Sequence, residues 1–228
     1  MSKKAELVGS HFPTIYLTII SLLQGIALSQ LIPNLLNFLK IVDQPWTHVQ
    51  LVPLVLMSLV IFIVWHHYAI GIFFLRWFPN IMDTIIPFII SIGQFYLMSF
   101  LEVKTSVDDV KTEAWTLGYA MVLIIGSFAY FSASWRVDAT LFTNLMSLEH
   151  GIIHRDLTKK YFLFAGFSIL CQGVFALMLW MMHRTDWLLI SLVLLVAHLV
   201  VFEIVLLQSI RPHFEQALDE FEEDDNKY

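Results

Sequence analysis

Two adjacent imidazoles, His66 and His67, interrupt the apolar run Ile61-Phe-Ile-Val-Trp-His-His-Tyr-Ala-Ile-Gly-Ile-Phe-Phe74. Histidine in such a setting can ligate a metal or haem iron, carry protons, line an ion path, or anchor one helix to another through hydrogen bonds. Neighbouring helix positions diverge by about 100°, so the two rings cannot converge on one centre. At most one faces a central path, and the other is free to bond an adjoining helix.

Other ionisable groups in apolar segments are few: Asp83, His198 and Glu203. Each is a functional candidate, because Asp, Lys or Arg at the centre of a membrane helix costs about 2.5–3.5 kcal/mol. Counted from Arg76 and Arg211, His67 and Glu203 lie at matching depths of about 13 and 12 Å, at 1.5 Å per residue. A His67–Glu203 pair is therefore geometrically open, worth about 0.6–2 kcal/mol as an interhelical hydrogen bond. The expectation is a structural polar network of His66, His67, Asp83, His198 and Glu203, binding neither metal nor haem.

A bis-histidine haem site can be drawn only between His67 and His198, and the small-residue clearing a porphyrin needs is missing around Trp65 and Tyr68. His150 and His154, four apart, share a helix face in the manner of metal ligands, but two ligands do not make a site. Membrane di-iron hydroxylases share only that spacing; their further H-x-x-H-H clusters have no match. Cys171, the single cysteine, rules out an intramolecular disulfide and a cysteine-built metal centre. No nucleophile motif, glycine-rich phosphate loop or aspartate-rich motif occurs. The expectation is a protein that is not an enzyme, needs no cofactor and binds no nucleic acid.

The uncharged polar groups of the first apolar run form a second constellation: Ser21, Gln24, Gly25 and Ser29. Uncharged oxygens can replace part of an ion's hydration shell. Gly25 and Ser29, four apart, also let another helix come close. These four residues are the candidates for lining a path.

The elements that position these groups follow from composition. Of 228 residues, 58% are apolar and 14% charged, and mean hydropathy is +0.73, whereas soluble domains carry roughly 25% charged residues. Such a chain belongs in a bilayer. A spanning helix needs about 20 mostly apolar residues, and six runs qualify, near 14–38, 49–75, 80–101, 115–136, 161–183 and 187–209. The predicted fold is all-α, a polytopic membrane domain over residues 1–211 with short loops, followed by an acidic tail, 212–228, carrying Glu222-Glu-Asp-Asp225. Of 13 Lys and Arg, nine fall on the side holding both termini, which predicts that both are cytoplasmic. Segment 135–160 reads as an amphipathic extension of span four, and 213–221 repeats the pattern.

Ser58-Leu-Val-Ile-Phe-Ile-Val-Trp-His-His67, an arginine-bearing turn and Ile86-Pro-Phe88 together resemble the second and third helices of the endolysosomal potassium channel family, in its small six-helix bacterial branch. Leu22-Leu-Gln-Gly25 falls where that family has Phe-Ser-Asp-Gly, and the likeness covers roughly residues 14–90. Leu22, Leu23 and Gln24 replace the family's Phe, Ser and Asp, and Ser29 stands where it has a bulky apolar constriction. The resemblance implies a subunit of a bacterial inner membrane that assembles as a homo-tetramer around span one.

Two functions follow as expectations. One is an ion channel subunit passing monovalent cations, potassium-like with modest selectivity, along the first helix. The other is a non-conducting membrane effector or scaffold whose amphipathic 137–155 and 213–221 segments bind a cytoplasmic protein partner.

Overall fold

The computed structural model describes residues 3–40, 48–73, 81–101, 112–137, 148–184, 187–202 and 204, which are helical apart from short turns. Five helices are α1 (Lys3–Leu39), α2 (His48–Phe73), α3 (Ile81–Phe100), α4 (Thr112–Val137) and α5 (Leu148–Met181). A sixth, α6, is the apolar helix Leu188–Phe202. Four stretches are long and apolar enough to cross a membrane: Ile15–Leu39, Leu51–Ala69, Thr112–Trp135 and Lys159–Met181. Two shorter apolar helices, Ile85–Phe100 and Leu188–Phe202, accompany them. Large apolar side chains face outward on each: Leu22, Phe62, Ile92, Phe128, Phe167 and Val193 are all exposed. An apolar belt of this extent suits hydrocarbon, not water.

One boundary differs from the sequence expectation. Residues 148–160 open α5 and do not extend α4. No proline separates Leu148 from Met181, so the amphipathic turns run directly into the apolar span. Segments 138–147 and 205–228, including the acidic tail, lie outside the described residues. At the other end of the chain, α1 starts at Lys3 because Ala5, Glu6 and Leu7 favour helix.

Four of the consecutive helix pairs run antiparallel, as residue pairings across them reveal. Tyr16 of α1 lies against Tyr68 of α2, and Trp65 against Ser21, so residue numbers rise on one helix as they fall on the other. The same reversal relates α3 to α4, where Gly93 abuts Val122 and Gly118 abuts Leu97. It relates α4 to α5, where Gly166 meets Phe131 and Gly173 meets Ile124, and α5 to α6, where Ser168 meets His198 and Tyr161 meets Phe202. The α4/α5 pair is the most extensively packed. Gly173 is what lets these two backbones approach: a Cβ there would stand 3.1 Å from Ile124 N and 3.2 Å from Ala120 O.

The turn after α5 is closed by two backbone hydrogen bonds, Arg184 N to Leu179 O (2.9 Å) and His183 N to Trp180 O (3.1 Å). Together they form a Schellman cap. His183 occupies its left-handed position with φ 52°, where glycine is usual. Its ring meets Glu113 Oε1 at 3.0 Å, tying the α5–α6 turn to the start of α4, and Arg184 stacks over Trp187 at 4.4 Å.

The interior has two parts. A large apolar cluster runs through α1 to α6, with Leu56, Met57, Leu97, Trp115, Tyr119 and Leu195 nearly inaccessible. A smaller aromatic cluster closes one end, built from Tyr16, Ile20, Tyr68, Tyr161, Phe162 and Phe202 with Ala133 and Ala165. Antiparallel packing explains this grouping: the starts of the α1 and α5 spans meet the ends of α2, α4 and α6.

Candidate functional site

His67 sits in the aromatic end cluster and is buried. Its Nδ1 is hydrogen-bonded to the Tyr130 hydroxyl of α4. Around the ring stand Phe202 at 4.6 Å, His198 at 5.8 Å and Tyr161 at 6.3 Å, all between ring centroids. His66 points elsewhere, half-buried and stacked on Phe62 one turn earlier at 5.3 Å. The 100° divergence of adjacent helix positions has separated them into an interior and a peripheral histidine.

His198 of α6 is also buried, and its Nδ1 meets Ser168 Oγ of α5 at 2.6 Å. The two interior histidines are therefore built alike. Each has Nδ1 fixed by a hydroxyl on a neighbouring helix, and each Nε2 is buried with no hydrogen-bond partner among the described residues. When Nδ1 carries the proton it donates to the hydroxyl oxygen, and Nε2 is left with an unused lone pair.

Phe202, one residue before Glu203, stands against His67; the reference points of the depth count, Arg76 and Arg211, lie outside the described residues. The face differs. His198 and Phe202, four apart, share the side of α6 that meets His67. Glu203 lies outside the described residues. Asp83 falls in the first turn of α3, with its side chain outside them as well. Sequence reasoning did not find Tyr130 and Ser168; the available signal was a hydroxyl on spans four and five at the depth of the histidines.

A narrow cavity of about 50 Å³ adjoins His67. Its polar lining comes from His67, Tyr68 and Tyr130, and Val60, Ile63, Ile90, Val122 and Phe162 supply apolar wall. That volume holds a few water molecules. A porphyrin does not fit, since Phe202 packs directly on both imidazoles, 4.6 Å from His67 and 5.3 Å from His198.

The second constellation divides. Ser21, Gly25 and Ser29 are exposed on the outer face of α1, whereas Gln24 is turned into the helix bundle and buried. The four do not share a face. Ser21 Oγ accepts a hydrogen bond from Trp65 Nε1 at 3.1 Å, and Ser29 Oγ donates to Ile26 O at 2.7 Å within its own helix. A Cβ added at Gly25 would meet nothing within 4 Å. The Gln24 amide has no hydrogen-bond partner among the described residues, and neither has that of Gln94 on α3.

The chain matches no protein-family model, no curated protein and no solved structure.

Proposed function

We propose that this protein is the subunit of a homo-oligomeric membrane channel, a tetramer by the resemblance, that passes monovalent cations along a path lined by α1. In this reading all six helices span, both termini are cytoplasmic, and the membrane is a bacterial inner membrane. The antiparallel helix pairs support the six-span arrangement, and the nine-to-four division of Lys and Arg supports its orientation.

The observation that carries the proposal is the outer face of α1. Ser21, Gly25 and Ser29 recur every fourth residue and advance about 40° per step, making one small, polar stripe beside Leu22 and Ile26. Such a stripe gains nothing from lipid. Against other copies of α1 it permits close approach through Gly25 and Ser29, and it turns hydroxyls and helix carbonyls toward a shared axis. Gln24 then sits behind the path and not in it. Serine hydroxyls discriminate ions less sharply than a rigid carbonyl ring, so selectivity for potassium over sodium is modest.

Gly25→Leu tests the assembly. The subunit has open space at this position, so the fold survives, and the particle should shift to lower mass by native mass spectrometry. Retention of the wild-type mass would place the contact elsewhere.

A further inference from the structure

We propose that His67 and His198 form a buried site for a soft monovalent metal ion, Cu(I) or its redox-inert analogue Ag(I), held between their Nε2 atoms. The inference is independent of ion conduction and departs from the sequence expectation that the histidines bind no metal. Three observations carry it. Both rings are nearly inaccessible, 3% exposed for His67 and 5% for His198. Both Nδ1 atoms are engaged by hydroxyls, Tyr130 for His67 and Ser168 for His198, which is the outer-shell arrangement that fixes tautomer and ring orientation in metal-ligating histidines. Both Nε2 atoms lack a hydrogen-bond partner among the described residues.

Distance supports the pairing. Two metal–imidazole bonds of about 2.0 Å, plus roughly 1.1 Å from each nitrogen to its ring centre, put the centroids at most about 6.2 Å apart, and nearer when the N–metal–N line is bent. The observed separation is 5.8 Å. A haem iron would need the same spacing, but Phe202 occupies the space a macrocycle would take. A bare ion has no such requirement.

Donor number and charge then select the ion. Among the described residues no group of three or more His, Cys, Asp or Glu can hold a metal, so the described donors to the ion are the two imidazoles. Cu(I) and Ag(I) accept two nitrogens in a line, whereas zinc seeks four ligands and potassium seeks oxygen. Neutral imidazoles do not cancel the ion's charge. Since the cost of burying charge rises with its square, a monovalent ion is favoured over a divalent one. The face of Phe202 beside both rings adds a favourable surface for a cation.

The test uses the full chain, purified in detergent and carrying Cys171→Ser, because that exposed thiol would itself capture soft metal. Equilibrium dialysis against Ag(I), and against Cu(I) under reducing conditions, should give one ion per subunit. X-ray absorption should report two nitrogen neighbours at about 2 Å. His67→Gln and His198→Gln should each abolish stoichiometric uptake, His66→Gln should leave it intact, and Ser168→Ala should weaken it by roughly 10–100-fold. Absence of uptake, sulfur ligation in the absorption spectrum, or equal uptake by all the variants would overturn the site. The absorption measurement on the Cys171→Ser protein needs no substitution of a histidine or of Ser168 and so decides the matter even where one of those unfolds the protein.

Discussion

Replacing Gly173 by alanine puts a methyl carbon 2.8 Å from Ile124 Cγ1, 3.1 Å from Ile124 N and 3.2 Å from Ala120 O. The Ile124 side chain can rotate away, but the two backbone atoms cannot. Restoring ordinary contact at roughly 3.5 Å requires α5 to retreat from α4 by a few tenths of an ångström. That movement loosens the most extensively packed helix pair among the described residues. Overpacking of this kind costs about 1–3 kcal/mol, while alanine in place of glycine contributes up to about 1 kcal/mol in the opposite direction through helix propensity. Gly126→Ala is the internal reference. Its new methyl would meet only Ile90 Cδ1, at 3.8 Å, so it takes the propensity gain without the clash. In reversible unfolding by SDS in mixed micelles, followed by far-UV circular dichroism, Gly173→Ala should be about 1–3 kcal/mol less stable than Gly126→Ala. Equal stability of the two variants would refute the close α4/α5 approach.

Four further outcomes are expected. Tyr130→Phe removes the hydroxyl that holds His67 and should destabilise the protein by about 1–3 kcal/mol in the same assay; an unchanged unfolding curve would remove that bond from the account. Gln94 is fully buried with its amide unpaired among the described residues, so Gln94→Met should raise stability by up to about 1–3 kcal/mol, and a loss would reveal a partner for the amide. At the α5 cap, His183→Gly should be tolerated, since it loses only an exposed pairing with Glu113; His183→Val should lower thermal stability because a β-branched residue strains the left-handed conformation, and matching melting curves would argue against the cap. Reporter fusions at residue 108 and at the carboxyl terminus should report opposite sides of the membrane, and a shared side would remove the six-span reading.

The helices were legible because apolar runs of spanning length are a strong signal, and the parting of His66 from His67 followed from helix geometry alone. The rotation of α1 was not legible. Its span carries apolar residues all round, so nothing in the sequence decides whether Gln24 or Ser21 faces inward, and packing of Tyr16, Ile20 and Ala27 turns Gln24 to the interior. The partner of His67 was missed for a related reason: depth can be counted along a helix, but facing depends on how six helices rotate together. Tyr130 lies in an aromatic run that reads as hydrocarbon until its hydroxyl is seen against an imidazole. Segment 148–160 went to the wrong neighbour because amphipathic periodicity marks a helix without saying which span it continues.

Cation flux through the purified protein bears most directly on the channel proposal. Wild-type protein reconstituted into potassium-loaded liposomes should release potassium, and exchange it for sodium with modest preference, above the rate of empty vesicles. Ser29→Leu, which alters an exposed residue bonded only within its own helix, should reduce that flux while leaving the amount of folded protein unchanged. Flux no greater than that of empty vesicles, at every voltage and pH applied, would contradict the channel reading and return the protein to the class of membrane effectors and scaffolds.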